Sequence, residues 1–270
     1  MIVDYHMHLR DEAGDVLHTA DAAERFVERA AERGVDEIGF TEHVYYFVQT
    51  RGFWRLPYQT VRCRFDLDAY VAAVLEAKER GLPVKLGLEV DWLGERAGEL
   101  AEILAQHPFD YLLGSVHWLD GAFGVDGGAG EGAWAEWGEE EVWRRYVEAL
   151  SAAAASGHFD VLSHPDLAKI FGARGSDERY RELAAAVDAA GVALEISTAG
   201  LRKPVGEIYP DPAFLEMVVD AGNPIALSSD AHTPEQLGFE YERALELLER
   251  AGVTEIAVFE RRTPRLEPVG

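Results

Sequence analysis

The sequence predicts an α/β fold in which parallel strands close into a barrel, and three observations carry that prediction. Short apolar runs alternate with amphipathic helical stretches along the whole chain. About seven or eight such units are present, enough to close a sheet upon itself. Six of the nine histidines, with Glu89 and Asp230, stand at or just beyond the carboxyl end of a run. In a parallel barrel that end forms a rim where side chains distant in sequence meet. An open doubly wound sheet is the alternative, but no glycine-rich phosphate loop follows the first strand.

The first strand spans 2–5, with His6 and His8 beyond it. A helix over 19–33 follows, with Ala22, Phe26, Val27, Ala30 and Ala31 at helical spacing and Gly34 as its stop. The second strand, 35–41, leads to His43. A helix over 68–80, stopped by Gly81, leads to the third strand, 84–90, which carries Glu89. A helix over 95–106 and a strand over 110–116 deliver His117. A helix over 139–156 and a strand over 159–163 deliver His164, and Pro165 ends that strand. The last third adds a helix over 177–190, a strand over 192–197, a helix over 211–221 and a strand over 224–228 before Asp230 and His232. A helix over 234–250 and a strand over 255–259 complete the pattern. Two long connections, 44–66 and 118–138, each follow a rim histidine directly and are rich in aromatic residues; the second is also rich in glycine. Loops so placed are often lids or binding walls. The simpler role for their aromatics is to pack the loops against the barrel.

At 270 residues and 48% hydrophobic composition the chain can bury one sizeable core, so a single domain over 1–270 is expected. Cys63 has no second cysteine to pair with, which excludes an internal disulfide and a thiolate metal cluster and suits a reducing cytoplasm. No apolar segment is long enough to span a membrane, and the amino terminus runs straight into the first strand rather than through a leader. The expectation is a cytoplasmic enzyme. A formal net charge of −24 repels a phosphate backbone, which disfavours nucleic acid as a partner; solubility or salt adaptation explains it more simply. Lysines are few (Lys78, Lys85, Lys169 and Lys203), and Lys169 and Lys203 fall near the rim.

His6 and His8 flank one residue on a strand, so both face one way and can share an ion. Alone such a pair is weak evidence. With Glu89 and Asp230 at other strand ends it gains the carboxylates that a hydrolytic metal site needs. A hydrogen-bonded core histidine explains any one of His43, His117, His164 or His232, but their coincidence at strand ends points to metal. His107 and His158 lie near helix ends and read as surface residues. His18, in the loop after the first strand, is either a solvated residue or a further ligand. Such ligands accommodate zinc, manganese and iron alike.

Asp4-Tyr5-His6-Met7-His8, Thr41-Glu42-His43, Gly87-Leu88-Glu89, Gly114-Ser115-Val116-His117, Ser163-His164-Pro165-Asp166 and Ser229-Asp230-Ala231-His232 resemble the ordered motifs of the PHP phosphoesterases, from residue 4 to about 238. The stretch Ser197-Thr198-Ala199-Gly200-Leu201-Arg202-Lys203-Pro204, followed by Glu207-Ile208-Tyr209-Pro210, is similar to a segment of the monofunctional histidinol-phosphatase branch. The resemblance implies a distorted, TIM-like (β/α)7 barrel holding two or three divalent ions. It implies His6, His8, Glu89 and Asp230 around the first ion, and Glu89 bridging to a second held by His117 and His164. A third would be held by His43 and His232. The family usually completes that third site with a histidine shortly after the His-x-His pair; here the loop is longer and offers His18.

The reaction implied is hydrolysis of a small phosphate monoester, L-histidinol phosphate, to L-histidinol and phosphate in histidine biosynthesis. The nucleophile would be a hydroxide bridging the ions, since metals lower the pKa of water from about 15.7 to about 7. Arg202 would grip the phosphate oxygens through its planar fork, with Lys169 and Lys203 in support. Asp230 or His232 would protonate the leaving alkoxide, as a water could equally do. Glu42, Asp166 and Glu207 are candidates to face the substrate's cationic end. The alternatives are the same machinery acting on another small phosphoester or nucleotide, an amidohydrolase, and a non-catalytic metal-binding module. Amidohydrolases commonly bridge their ions with a modified lysine, whereas this chain offers Glu89.

Overall fold

The computed structural model describes residues 1–126 and 132–270. In chain order the first strands are β1 (Val3–Met7), β2 (Glu37–Phe40), β3 (Val84–Asp91) and β4 (Tyr111–Ser115). A short antiparallel hairpin, β5 (Trp118–Leu119) with β6 (Phe123–Gly124), precedes β7 (Val161–Leu162), β8 (Ala193–Ser197) and β9 (Ile225–Ser228). Seven of these form one parallel sheet in the order β1-β2-β3-β4-β7-β8-β9. Its two ends meet just past β9, where the His8 N–H donates to the Ala231 carbonyl at 2.8 Å and the Ala231 N–H to that of His6 at 3.2 Å. The result is a nearly closed barrel, joined at its last seam by the backbone of the His-x-His pair.

Helices Ala20–Glu32, Leu67–Glu79, Ala97–Leu104, Glu139–Ala155, Asp177–Ala190 and Pro212–Asp220 fill the crossovers between successive barrel strands. Side-chain caps begin several of them: Thr19 accepts from the Ala22 N–H, Asp66 from Asp68 and Ala69, Ser176 from Arg179, and Asp211 from Ala213. Every residue of β1, β3, β4, β8 and β9 is buried, as expected of strands covered on both faces. Inside, Tyr111 crosses two neighbouring strands to donate to the Tyr5 carbonyl at 2.7 Å. Glycine on those strands makes the crossing possible: a Cβ on Gly39 would lie 2.0 Å from the Tyr111 hydroxyl, and one on Gly87 2.7 Å from its ring.

Two expected elements differ. The eighth strand does not join the barrel; β10 (Glu255–Glu260) pairs antiparallel with β11 (Thr263–Pro268). Arg261 and Arg262, at φ 48 and 62, make the two-residue turn, a conformation that matches strand twist in hairpins. The hairpin packs through Phe259, whose ring lies 5.5 Å from that of Tyr111 and 6.2 Å from that of Tyr5. The helix expected over 234–250 is broken into a single turn, Pro234–Gln236, and the helix Tyr241–Arg250. Gly238 at φ 62 and Glu240 at φ 54 interrupt it, and the Gly238 N–H is drawn to the buried carboxylate of Asp4 at 3.1 Å.

The long connections carry little regular structure. The first contains the turns Val44–Tyr46, Val48–Phe53 and Pro57–Thr60. The second contains the β5-β6 hairpin and the turn Ala133–Glu136, while its glycine-rich middle, 127–131, lies outside the described residues. Among the described residues no helix is long and apolar enough to cross a membrane.

Candidate metal centre

All eight predicted rim residues converge. His6 and His8 extend from β1, where the register against β2 shifts between Asp4 and Met7, a bulge that re-aims side chains beside a site. His6 Nε2 lies 3.5 Å from Glu89 Oε1 and 3.7 Å from Asp230 Oδ1; His8 Nε2 lies 3.3 Å from the same Asp230 oxygen. Glu89 is the hub. Its Oε1 is 3.0 Å from His164 Nε2 and 3.3 Å from His117 Nε2, and its Oε2 is 2.5 Å from His43 Nδ1. Three sets have ligand atoms within 4.8 Å of one another: His6, His8 and Asp230; His6, Glu89 and His164; and His8, His43 and His232.

A divalent cation fits these donors. His6 Nε2, His43 Nδ1 and Glu89 Oε2 are buried and, among the described residues, make no well-formed hydrogen bond, although His43 Nδ1 and Glu89 Oε2 lie 2.5 Å apart; such crowding of donor atoms is costly unless a cation takes their lone pairs. The donor set is imidazole and carboxylate without thiolate, since Cys63 is buried elsewhere and donates to the Phe47 carbonyl. Two strained backbones help to present it: His164 at φ 27 and Asp230 at φ 50 lie in the left-handed region.

Charge in the cluster is divided sharply. Burial pushes the carboxyls of Glu89 and Asp230 upward, but the surrounding histidines outweigh it and hold both well below the usual carboxylate range. Burial likewise opposes charge on His117, yet Glu89 and Asp91 raise it to about 10. His43, buried beside cationic His8, falls to about 4. His232 is held well below its ordinary value for the same two reasons.

Behind the cluster stand carboxylates that sequence reasoning missed. Glu195 on β8 accepts from His6 Nδ1 at 2.8 Å and from the His164 backbone N–H. Asp91 holds His117 Nδ1 at 2.7 Å. Ser115 donates to Glu89 Oε1 at 2.8 Å. A signal for the first two was present: Glu195 interrupts the apolar run Val192-Ala193-Leu194-Glu195-Ile196, and Asp91 follows Glu89 at the strand period of two.

Other expectations are corrected. Glu42 does not face a substrate; it is buried, holding His8 Nδ1 at 3.1 Å, with Arg10 and His18 each 3.5 Å away. His18 therefore reaches Glu42 rather than the third set of ligands, and its ring lies among Phe47, Phe65 and Tyr70. Asp166 is buried against Lys169, 3.0 Å away, and Lys169 also donates to the Ile208 carbonyl at 2.8 Å, so its charge does not reach the site. Glu207 pairs with Arg174. Arg202 spends one Nη on the carbonyls of Ser229 and Asp230, at 2.7 and 2.9 Å, bracing the strained Asp230 turn.

A cavity of about 160 Å³ opens onto the cluster. Its lining includes His43, Glu89, His117, His164, Asp230 and His232, with Lys203 but neither Arg202 nor Lys169. Trp118 lines both this cavity and a larger groove of about 1070 Å³, which reaches Asp91 but none of the predicted ligands. The chemistry therefore belongs to the smaller cavity.

Known proteins resemble this chain in sequence and in fold. The PHP domain profile matches residues 4–199. A protein of Deinococcus radiodurans named as a probable histidinol-phosphatase is 32% identical over 239 residues, covering 87% of this chain and 89% of that one. The histidinol-phosphatase of Bacillus subtilis is 27% identical over 252 residues, covering 84% and 92%. The crystal structure of histidinol phosphate phosphatase from Lactococcus lactis, described as complexed with zinc, L-histidinol and phosphate, shares the fold with a TM-score of 0.78 over 98% of each chain, at 22% identity. A seven-stranded barrel presenting this ordered set of histidines and acids, with such relatives, establishes that the chain belongs to the PHP domain family, alongside the histidinol-phosphatases.

Proposed function

We propose that this protein is a metal-dependent phosphomonoesterase that hydrolyses L-histidinol phosphate to L-histidinol and phosphate, serving histidine biosynthesis in the cytoplasm. The observation that carries the reaction type is Glu89, a single buried carboxylate within 3.5 Å of His6, His117, His164 and His43. A carboxylate so placed can be shared by two cations. The substrate rests on the names of the relatives. One continuous hydrophobic core supports treating 1–270 as a single domain.

The residues that would hold the ions are His6, His8, Glu89 and Asp230 for the first, and Glu89, His117 and His164 for the second. His43 and His232 would hold a third, with His8 within reach of both and His18 left outside. Bound there, divalent ions supply an activated water and neutralise charge on the phosphoryl group in transfer. The chain's own groups do the rest. Glu195, Asp91 and Glu42 each take one ring nitrogen of His6, His117 and His8, fixing the tautomer that leaves the other nitrogen free toward the centre. Lys203, which lines the cavity, would meet phosphate oxygens. Asp230 and His232 would each be engaged as ligands to an ion, so a water is the better donor of a proton to the leaving alkoxide.

The test is phosphate release from L-histidinol phosphate by chelated protein, then after adding back zinc, manganese or iron, with a nucleoside monophosphate in parallel. Metal-restored turnover selective for L-histidinol phosphate is the expected result. Restored turnover confined to the nucleotide would retain the metal centre and refute the substrate.

A further inference from the structure

The loop between β2 and the helix Leu67–Glu79 is charged unlike the rest of the molecule. Residues 43–65 contain no aspartate, glutamate or lysine but four arginines, Arg51, Arg55, Arg62 and Arg64, in a chain whose formal net charge is −24. No other stretch of the chain is as long without an acid. Elsewhere arginines such as Arg80, Arg144 and Arg179 pair with carboxylates. Among the described residues none of the four loop arginines does so. Arg51 donates to the Cys63 carbonyl, Arg62 donates to the Tyr58 carbonyl at 2.9 Å, and Arg64 lies 5.2 Å from the centroid of the Phe65 ring. Arg51, Arg55 and Arg64 are exposed and Arg62 is half-buried. Cations without a carboxylate beside them project their field into the solvent.

The same loop borders the way into the metal centre. Tyr45 and Tyr58 line the cavity of about 160 Å³, and the Arg62 guanidinium lies 3.7 Å from the centroid of the Tyr58 ring. Arg55 lines the larger groove, which meets the cavity at Trp118. In that groove Arg96, Arg144 and Arg145 stand among Asp91, Glu95, Asp120 and Glu148, so Arg55 offsets an excess of acid. A phosphate monoester carries close to two negative charges at neutral pH. The acidic surface repels it, and the loop reverses that sign beside the cavity it must enter.

We propose that the loop 43–65 is an electrostatic guide for small phosphate-bearing anions, with Arg51, Arg55, Arg62 and Arg64 drawing the anion to the cavity against the repulsion of the remaining surface. This rests on the phosphomonoesterase reading and adds how so acidic a protein gathers an anionic substrate. The arginines touch neither phosphorus nor the ions; they raise the local concentration of the anion and therefore act on KM rather than kcat. A long polyanion would also lie across the acidic surface, so a small anion is the partner that the charges fit. Salt limits the reach of the guide, because the screening length falls from about 30 Å at 0.01 M to about 3 Å at 1 M.

Arg55 and Arg64 are the positions to change, since neither side chain makes a hydrogen bond among the described residues. Zinc-loaded wild type, Arg55→Gln/Arg64→Gln and Arg55→Glu/Arg64→Glu would be compared at about 0.01 M and about 0.5 M salt. Turnover of L-histidinol phosphate gives KM and kcat, and calorimetry with inorganic phosphate gives a dissociation constant. At low salt the dissociation constant is expected to rise in the order Arg, Gln, Glu, by about five- to tenfold for the Glu pair. KM should follow the same order by about threefold, since the amine of the substrate offsets one charge, with kcat within about twofold. At high salt the three proteins should agree within about twofold. Equal constants at low salt, or a loss that high salt does not remove, would overturn the assignment. Phosphate binding with this salt and charge dependence, but no turnover of L-histidinol phosphate, would refute that substrate and support the guide. A zinc-loaded wild type that binds no phosphate would overturn both.

Discussion

Glu195 and Asp91 act on the centre without touching it, because each fixes an imidazole whose other nitrogen points inward. Removing that support leaves the ligands present but loosely aimed. Glu195→Gln is expected to weaken zinc binding by about 10- to 100-fold, measured by competition with a chromogenic chelator. The same residues govern pH dependence. Burial works against charge on His6 and His117, but Glu195, Glu89 and Asp230 around the first, and Glu89 and Asp91 around the second, prevail. His6 therefore stands well above its ordinary value and His117 rises to about 10. Shifts in that direction favour a proton on each ring, which an arriving ion would have to displace. Apparent zinc affinity should then rise with pH, about tenfold per unit for each proton displaced. A flat affinity profile between about pH 6 and about pH 8 would show that these histidines are not protonated before the metal arrives.

At the scale of the strands, the barrel interior below the centre depends on the absence of side chains at Gly39 and Gly87. Tyr111 occupies the space they leave, stacks on Tyr5 at 5.2 Å and reaches the Tyr5 carbonyl. A methyl group at position 39 would meet the Tyr111 hydroxyl at 2.0 Å. Gly39→Ala is therefore expected to cost about 1–3 kcal/mol of stability, the usual range for overpacking, read from the denaturation midpoint. Adding Tyr111→Phe removes the clashing hydroxyl and should recover part of that loss. Additive losses in the double variant would place the effect elsewhere.

For the whole molecule, the centre brings together β1, β3 and the segments that follow β2, β4, β7 and β9, so ion binding and barrel closure are linked. The seam between β9 and β1 is made by the backbone of His6, His8 and Ala231, so an ion held by His6, His8 and Asp230 would tie the two edges of the sheet together. An ion at 100 times its dissociation constant stabilises the folded state by about 2.7 kcal/mol. Chelation should thus lower the melting temperature by about 5–10 °C in a chain of this size, and zinc should restore it. Scanning calorimetry with and without chelator checks this; an unchanged melting temperature would mean that the centre contributes nothing to closure.

Much of this protein was legible before folding. The alternation of apolar runs and helical stretches is local, so seven barrel strands and their crossover helices could be placed to within a few residues. Candidate ligands at strand ends are legible for the same reason, because parallel topology turns a local position into a shared place on the rim. What remained hidden depends on partners far away in the chain. Arg261 and Arg262 adopt a turn that usually advertises itself through Asn or Gly, so the sequence placed the last strand without showing that it is half of a hairpin. The helix over 234–250 breaks where Gly238 meets Asp4, 234 residues away in sequence. Lys169 stands near the rim in sequence, but Asp166 and the Ile208 carbonyl take its ammonium, while Arg202 turns one Nη onto the carbonyls of Ser229 and Asp230 and keeps the other without a partner among the described residues. Residue type and spacing thus singled out the candidate ligands of the centre. Only tertiary structure decided which polar group each side chain faces, because a hydrogen bond depends on position in space and the separation in sequence carries no record of it.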